Sequence, residues 1–306
     1  MAIFVTGATN SYFVMACILI RSLRKWVSEQ DRTYILDFGL SEPQRQYLKK
    51  RGLLLERPPQ LAGGAHPYFY KVSMAEFVGG DWRALVWLDS DMIAVGPVGQ
   101  SIDALVKEMN VGGQKVAACQ DTLGTIGTFI RTAIDRGWNI TPFLQQLQSN
   151  GIDPSARYYN AGFMVIASPE FVREWKSLVA SIPQHVVFDQ NAFNLLVHKN
   201  RNFRELDCSW NLHGTALFKA TVTPDDTVTT PDGTPALLIH ATSPIHGELG
   251  LAHTVDLGSG RRISCHMRMS GNPAVKALQV KHLHQFLREE WEDLNFYGIV
   301  EGNLAR

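Results

Sequence analysis

Residues 2–6 (AIFVT) form a short apolar, β-branched run ended by Gly7, and residues 12–26 then carry apolar positions at a helical period. This opening predicts strand, loop, helix. Residues 32–38 (RTYILDF) predict a second strand. Ser41-Glu42-Pro43 opens a helix to about Lys50, with proline in its first turn and Gly52 beyond its end. A β-α-β-α start predicts a mostly parallel sheet covered by helices on both faces. Residues 84–88 (ALVWL) are continuously apolar and stop abruptly at Asp89-Ser90-Asp91, the pattern of a buried strand with a polar C-terminal tip. Further strands are expected at 115–119, 162–167 and 236–239, the last ending in His240. A helix is expected from Ser168-Pro169-Glu170 onward, and a charged helix near 275–294. Residues 121–153 read as a glycine-containing, partly helical insertion suited to a lid or an acceptor-side segment.

Composition narrows the class. The chain has 306 residues, 45% hydrophobic and 19% charged, a length that buries roughly 75% of the unfolded surface and excludes disordered and fibrous folds. Twenty-nine Lys and Arg balance twenty-nine Asp and Glu, so no global field draws the chain to polyanions and nucleic acid is not an expected partner. Cys17, Cys119, Cys208 and Cys265 lie far apart without a CxxC pair, which suits a reducing compartment and predicts a cytoplasmic location. The apolar stretch 12–20 is too short to cross a hydrocarbon core of about 30 Å, and its positive charge follows rather than precedes it. Neither a transmembrane segment nor a signal peptide is expected, and Met1 is expected to start the mature domain.

The candidate chemistry begins at Asp89-Ser90-Asp91. Ligands of open α/β sheets bind outside the carboxyl ends of the strands, and two carboxylates one residue apart can face a single hard cation that in turn holds a diphosphate. A solvated turn is the plain alternative. His240 ends another apolar strand and can complete a metal shell. Tyr159-Asn160-Ala161-Gly162 places an amide and two small residues before a strand, where Asn160 can bond sugar hydroxyls and the small residues admit a close ring, or where a simple turn stands. Asp189-Gln190-Asn191 reads as a polar site or as a helix N-cap, two roles that can coexist. The opening Thr-Gly-Ala-Thr suggests a dinucleotide fold with Asp37 on a ribose, but the second and third glycines are missing and no tyrosine precedes a lysine by four residues. His198, His282 and His284 read as surface or packing residues, and Trp175, Phe188, Phe193 and Trp210 as core.

Taken in order, these segments resemble the retaining glycosyltransferases of family 8, the group that includes glycogenin and bacterial lipopolysaccharide glycosyltransferases. FVTGATNSY resembles the first nucleotide loop, Lys71 the upstream basic residue, and VWLDSDMIAV the metal strand. RYYNAGFMVI resembles the donor-sugar loop, FDQNAFN the Asp-Gln motif, LDCSWNLHG the segment before the last core strand, and LLIHATS the strand of the third metal ligand. The likeness covers residues 2–247. It implies an α/β GT-A fold, Rossmann-like, with a mostly parallel mixed sheet flanked by helices. One catalytic domain over 1–247 is expected, followed by a partly helical C-terminal extension over 248–306.

The resemblance also implies the site. Mn2+ or Mg2+ would be held by Asp89, Asp91 and His240, and the nucleotide by Ala8, Thr9, Asn10, Tyr12 and Ser90. Lys71, His246 and Gly247 would serve the diphosphate, and Asn160 and Ala161 the donor sugar. Asp189, Gln190 and Asp121 would be the catalytic group. Family members commonly place a lysine six residues after the metal-binding histidine, followed by Pro-Trp, whereas this chain has His246-Gly247 there. The implied activity is metal-dependent transfer of a hexose from a UDP-sugar, UDP-glucose or UDP-galactose, to an unidentified carbohydrate, glycan or small-molecule acceptor. The alternatives are a sugar-nucleotide nucleotidyltransferase, whose Gly-rich basic entry loop is not evident at 7–12, and a sugar-nucleotide-binding protein without transfer activity. The amphipathic tail leaves room for a homodimer.

Overall fold

A computed structural model describes residues 1–61, 66–241, 247–256 and 262–299. In chain order its elements are β1 (Ala2–Ala8), α1 (Phe13–Arg24), β2 (Arg32–Asp37), α2 (Glu42–Lys50), β3 (Leu54–Leu55), α3 (Pro67–Val72), α4 (Met74–Val78), β4 (Ala84–Leu88), β5 (Met92–Ala94) and α5 (Val98–Gly112). There follow β6 (Val116–Thr125), α6 (Ile126–Asp135), α7 (Thr141–Ser149), β7 (Arg157–Ile166), α8 (Pro169–Ser181), α9 (Phe188–Asn200), β8 (Phe203–Leu206), β9 (Leu212–His213) and α10 (Gly214–Phe218). A small hairpin of β10 (Thr221–Val222) and β11 (Val228–Thr229) leads to β12 (Leu238–His240), β13 (Gly247–Asp256), β14 (Arg262–Ser270) and α11 (Pro273–Phe296). The fold is α/β, with a large, mostly parallel sheet flanked by helices.

Contacts group the chain into two compact units. The first comprises Met1–Ala2, Pro58–Trp87 and Ile102–Asp207; the second comprises Ile3–Arg57, Leu88–Ser101 and Cys208–Arg306. In the first unit β4, β7, β6 and β8 run side by side in that order. β6 lies antiparallel to β7 and parallel to β8. β4 is buried throughout, as its unbroken apolar run requires. Trp175 and Phe193 are fully buried with Phe171, and their rings meet at 5.9–6.4 Å.

The second unit carries β3, β2 and β1, all parallel, with Ile3 opposite Arg32 and Ala8 opposite Asp37. β1 continues through Gly7 instead of ending there. A Cβ on Gly7 would stand 2.1 Å from the Phe38 ring, so the glycine marks a close approach within a strand. Asp37 serves its own turn, accepting from the backbone N–H of Gly39 and Leu40 at 2.9 and 2.8 Å. α1 buries ten of its twelve residues and places Arg21 and Arg24 in its last turn, where cations suit the helix dipole. A three-stranded sheet, β5-β12-β9, and the antiparallel pair β13-β14 complete this unit with α11.

Two strands are longer than their apolar runs. β6 continues from Cys119 to Thr125 and takes Asp121 into the strand, so the 121–153 insertion begins as sheet and becomes helical only at Ile126. β7 starts at Arg157, so Tyr159 to Ala161 belong to the strand rather than to a preceding turn. The cause is visible at Tyr159. There the β6–β7 register shifts, and the Asn194 side chain bonds both the Tyr159 N–H (2.7 Å) and its C=O (2.9 Å), standing in for a neighbouring strand.

Candidate active site

The second unit gathers the candidate metal ligands. β4 ends at Leu88, a turn closed by Met92 N–H on Asp89 C=O reverses the chain, and β5 begins at Met92. β12 pairs antiparallel with β5 so that His240 lies opposite Met92, one residue past Asp91. The imidazole Nε2 consequently stands 3.1 Å from Asp91 Oδ1 and 4.0 Å from Asp89 Oδ2. One ligand atom from each of Asp89, Asp91 and His240 lies within 4.8 Å of the others. His240 Nδ1 donates to Asn211 Oδ1 at 3.0 Å, which fixes the ring and leaves Nε2 toward the acids. Two carboxylates and one imidazole are a donor set that can hold a divalent cation. Burial opposes ionisation of Asp91, but His240 and Arg268 beside it outweigh that cost and hold the carboxyl well below its usual range.

The same unit carries the residues expected to meet the nucleotide. Ala8 closes β1, and Asn10 N–H donates to Gly39 C=O at 3.0 Å. Gln44, buried at the start of α2, donates to Asn10 Oδ1 at 2.7 Å and so sets the loop's side chain. Ser90 is buried. Tyr12 receives a hydrogen bond from Arg268, and its phenol pKa is raised by burial, with Arg268 opposing. Gly247 opens β13 opposite Ser270. His246 lies outside the described residues.

The first unit holds a second polar group. Lys71, buried in α3, places Nζ 3.3 Å from Asp189 Oδ2 and 5.3 Å from the centre of the Trp87 ring. Asp189 is the second residue of α9 rather than its cap; Val187 precedes the helix with φ 40°. Asp121 Oδ2 accepts from Asn160 Nδ2 at 2.9 Å and from Gln190 Nε2 at 3.4 Å. Gln190 Oε1 accepts from Ala161 N–H at 3.0 Å, and Asn160 Oδ1 from Gly162 N–H at 2.9 Å. Asp121, Asn160, Ala161 and Gln190 therefore form one mesh. Asn194, Asn211, Gln44 and Arg268 had no assigned role in the sequence. Asn194 and Asn211 stand inside the segments FDQNAFN and LDCSWNLHG, where an amide between buried apolar residues is the signal that could have found them.

The α/β fold is of the GT-A type and carries an Asp-Asp-His group at strand ends. The chain belongs to glycosyl transferase family 8, whose model matches residues 4–240. Three solved structures show the same fold. The galactosyltransferase LgtC, in complex with donor and acceptor sugar analogs, matches with TM-score 0.57 and 16% identity over 96% of this chain and 100% of its own. GlyE of Streptococcus pneumoniae TIGR4 matches with TM-score 0.53 and 15% identity over 96% of this chain and 63% of its own. The bifunctional glycosyltransferase WbbM, in apo form, matches with TM-score 0.55 and 14% identity over 79% of this chain. There the match spans 46% of WbbM's length. A search of curated proteins by sequence gives no significant match. Among the described residues no helix is long and apolar enough to cross a membrane.

Proposed function

We propose that this chain is a metal-dependent, retaining hexosyltransferase that uses a UDP-sugar, UDP-glucose or UDP-galactose, and a carbohydrate, glycan or small-molecule acceptor. The observation that carries the reading is the Asp89, Asp91, His240 group within a family 8 fold. Those three residues would hold Mn2+ or Mg2+, which supplies Lewis-acid stabilisation of charge on the departing diphosphate. The loop Ala8-Thr9-Asn10 with Tyr12 and Ser90 would take uracil and ribose, by backbone bonds to the base edge and contact with the phenol ring. His246 and Gly247 would add to the hold on the diphosphate.

On the sugar side, Asn160 and Ala161 would bound the hexose, the amide bonding hydroxyls and the small residue admitting the ring. Asp189 would orient those hydroxyls while Lys71 holds its carboxylate in place. The Gln190 carbonyl would solvate positive charge at the anomeric carbon, exchanging its bond from Ala161 N–H for that role. Asp121, which accepts from both Asn160 and Gln190, would keep the two amides in register. A cytoplasmic setting fits the separated cysteines, of which Cys17 and Cys119 are buried thiols.

The test needs no acceptor. Purified protein with Mn2+ is offered UDP-glucose and UDP-galactose, and proton NMR follows the first sugar released or transferred. Metal-dependent turnover with an α product from an α-linked donor is expected. A β product rejects retention, and turnover that ignores EDTA rejects the metal.

A further inference from the structure

Beyond the region matched by the family model, β14 delivers a guanidinium to the metal group. Arg268 Nη1 donates to Asp91 Oδ2 at 2.7 Å, and Nη2 donates to the Tyr12 hydroxyl at 2.8 Å. The placement is built into the backbone. Arg268 lies on β14 opposite the extra residue of β13, between the pairs Glu248–Met269 and Leu251–Met267. Gln279 of α11, buried, accepts from Ser270 N–H at 2.7 Å and donates to the Arg268 carbonyl at 3.3 Å. Asn272 caps α11 through Ala274 and Val275 N–H and also donates to the carbonyls of Phe218 and Ala220. One arginine is thus pinned from two sides.

The two oxygens of Asp91 are divided: Oδ1 faces His240, and Oδ2 faces Arg268. A cation on the Asp89, Asp91, His240 atoms and the guanidinium therefore use different oxygens of one carboxylate. A divalent ion alone would only offset the charge of the two aspartates. With Arg268 the site turns net positive, which favours a polyanion. The Arg268 side chain remains 32% exposed while Asp91 is 3% exposed, so the fork keeps an open side, and its planar donors match phosphate oxygens.

We propose that Arg268 is a second cation for the nucleoside diphosphate, bonding a phosphate oxygen of the donor beside the metal and steadied by Asp91 and Tyr12. This rests on the transferase reading above. It makes the β13–β14 pair and α11 contributors to donor binding.

The experiment is calorimetric titration of wild type, Arg268→Gln and Arg268→Lys with UDP and with uridine, in Mn2+ and in EDTA, and with Mn2+ alone. Arg268→Gln is expected to weaken UDP about ten- to hundredfold in Mn2+, the scale of a charge-assisted bond. It should also weaken UDP in EDTA, cost UDP more than uridine, and not weaken Mn2+ alone. Arg268→Lys should lose less and controls for the fold, which thermal melting checks. If Arg268→Gln binds UDP as wild type does, the proposal is wrong. If the variant binds Mn2+ more than tenfold tighter with UDP unaffected, the arginine is a stopper on the metal site and the proposal is equally wrong. Wild type that fails to bind UDP in Mn2+ overturns the transferase reading and this proposal with it, whereas equal binding by wild type and variant overturns this proposal alone.

Discussion

Two buried aspartates in this chain each hold a cation, and the two pairs are built differently. In the first unit, Asp189 and Lys71 are both enclosed, at 3% and 7% side-chain exposure. In the second, Asp91 is equally enclosed at 3%, but its partner Arg268 reaches solvent at 32%. A closed pair has given up water on both sides and depends on mutual attraction, so removing one member strands the other. A half-open pair can accept a ligand on its exposed side without breaking. The contrast separates a carboxylate fixed in a closed pair, Asp189, from one whose cation keeps an open side, Asp91.

The largest effect is expected at the half-open pair. Asp91→Asn removes the charge of a carboxylate whose Oδ1 faces His240 and whose Oδ2 accepts from Arg268. It should abolish metal-dependent UDP binding and lower turnover by about a thousandfold or more, the scale of lost electrostatic stabilisation. Calorimetry with and without Mn2+ decides it, since a variant that still binds UDP more tightly in Mn2+ than in EDTA would remove Asp91 from the metal shell.

The closed pair gives the next largest effect, of another kind. Asp189→Asn should cut turnover about a hundredfold with little change in UDP affinity. It should also destabilise the fold by about 3–5 kcal/mol, because the buried Lys71 ammonium loses a carboxylate charge 3.3 Å away. The double change Lys71→Met, Asp189→Leu should recover most of the stability in chemical denaturation while activity stays lost. A double variant no more stable than the single one would show that the pair is not closed in the sense argued here.

The smallest expected effect is one shell out. Asn211→Ala frees His240 Nδ1 from its only amide-oxygen hold at 3.0 Å and should weaken Mn2+ about ten- to hundredfold, with UDP binding in EDTA unchanged. Direct Mn2+ titration measures it. Unaltered Mn2+ affinity would detach the imidazole's orientation from the metal.

The parts of this arrangement that the sequence disclosed are those written locally. An apolar run that stops at Asp89-Ser90-Asp91 announces a strand tip, and the run ending in His240 announces another. Their convergence follows from β12 pairing with β5, which places His240 opposite Met92. Gly7 was misread as a terminator because its reason, the Phe38 ring, lies on the next strand. β7 begins in polar residues that show no strand period, since Asn194 on α9, 35 residues further along the chain, completes the hydrogen bonds of Tyr159. Arg268 was invisible for a stronger reason. It meets an aspartate 177 residues away and lies opposite a register shift, and neither the partner nor the shift leaves a local pattern.

α11 also bears on how the molecule is made. It packs on α1, with Arg21 bonding Glu289 across 268 residues and Tyr47 bonding Glu290 across 243. The second unit is drawn from segments that leave the ribosome far apart, whereas most of the first unit is the continuous stretch Ile102–Asp207. At about 5–20 residues per second, the earliest helix waits on the order of ten seconds for its cover. During that interval the part of α1 that α11 covers is open to other nascent chains. The first unit can close during synthesis while the second matures after it, so a ribosome stalled ahead of Pro273 would hold the first unit folded and the second incomplete.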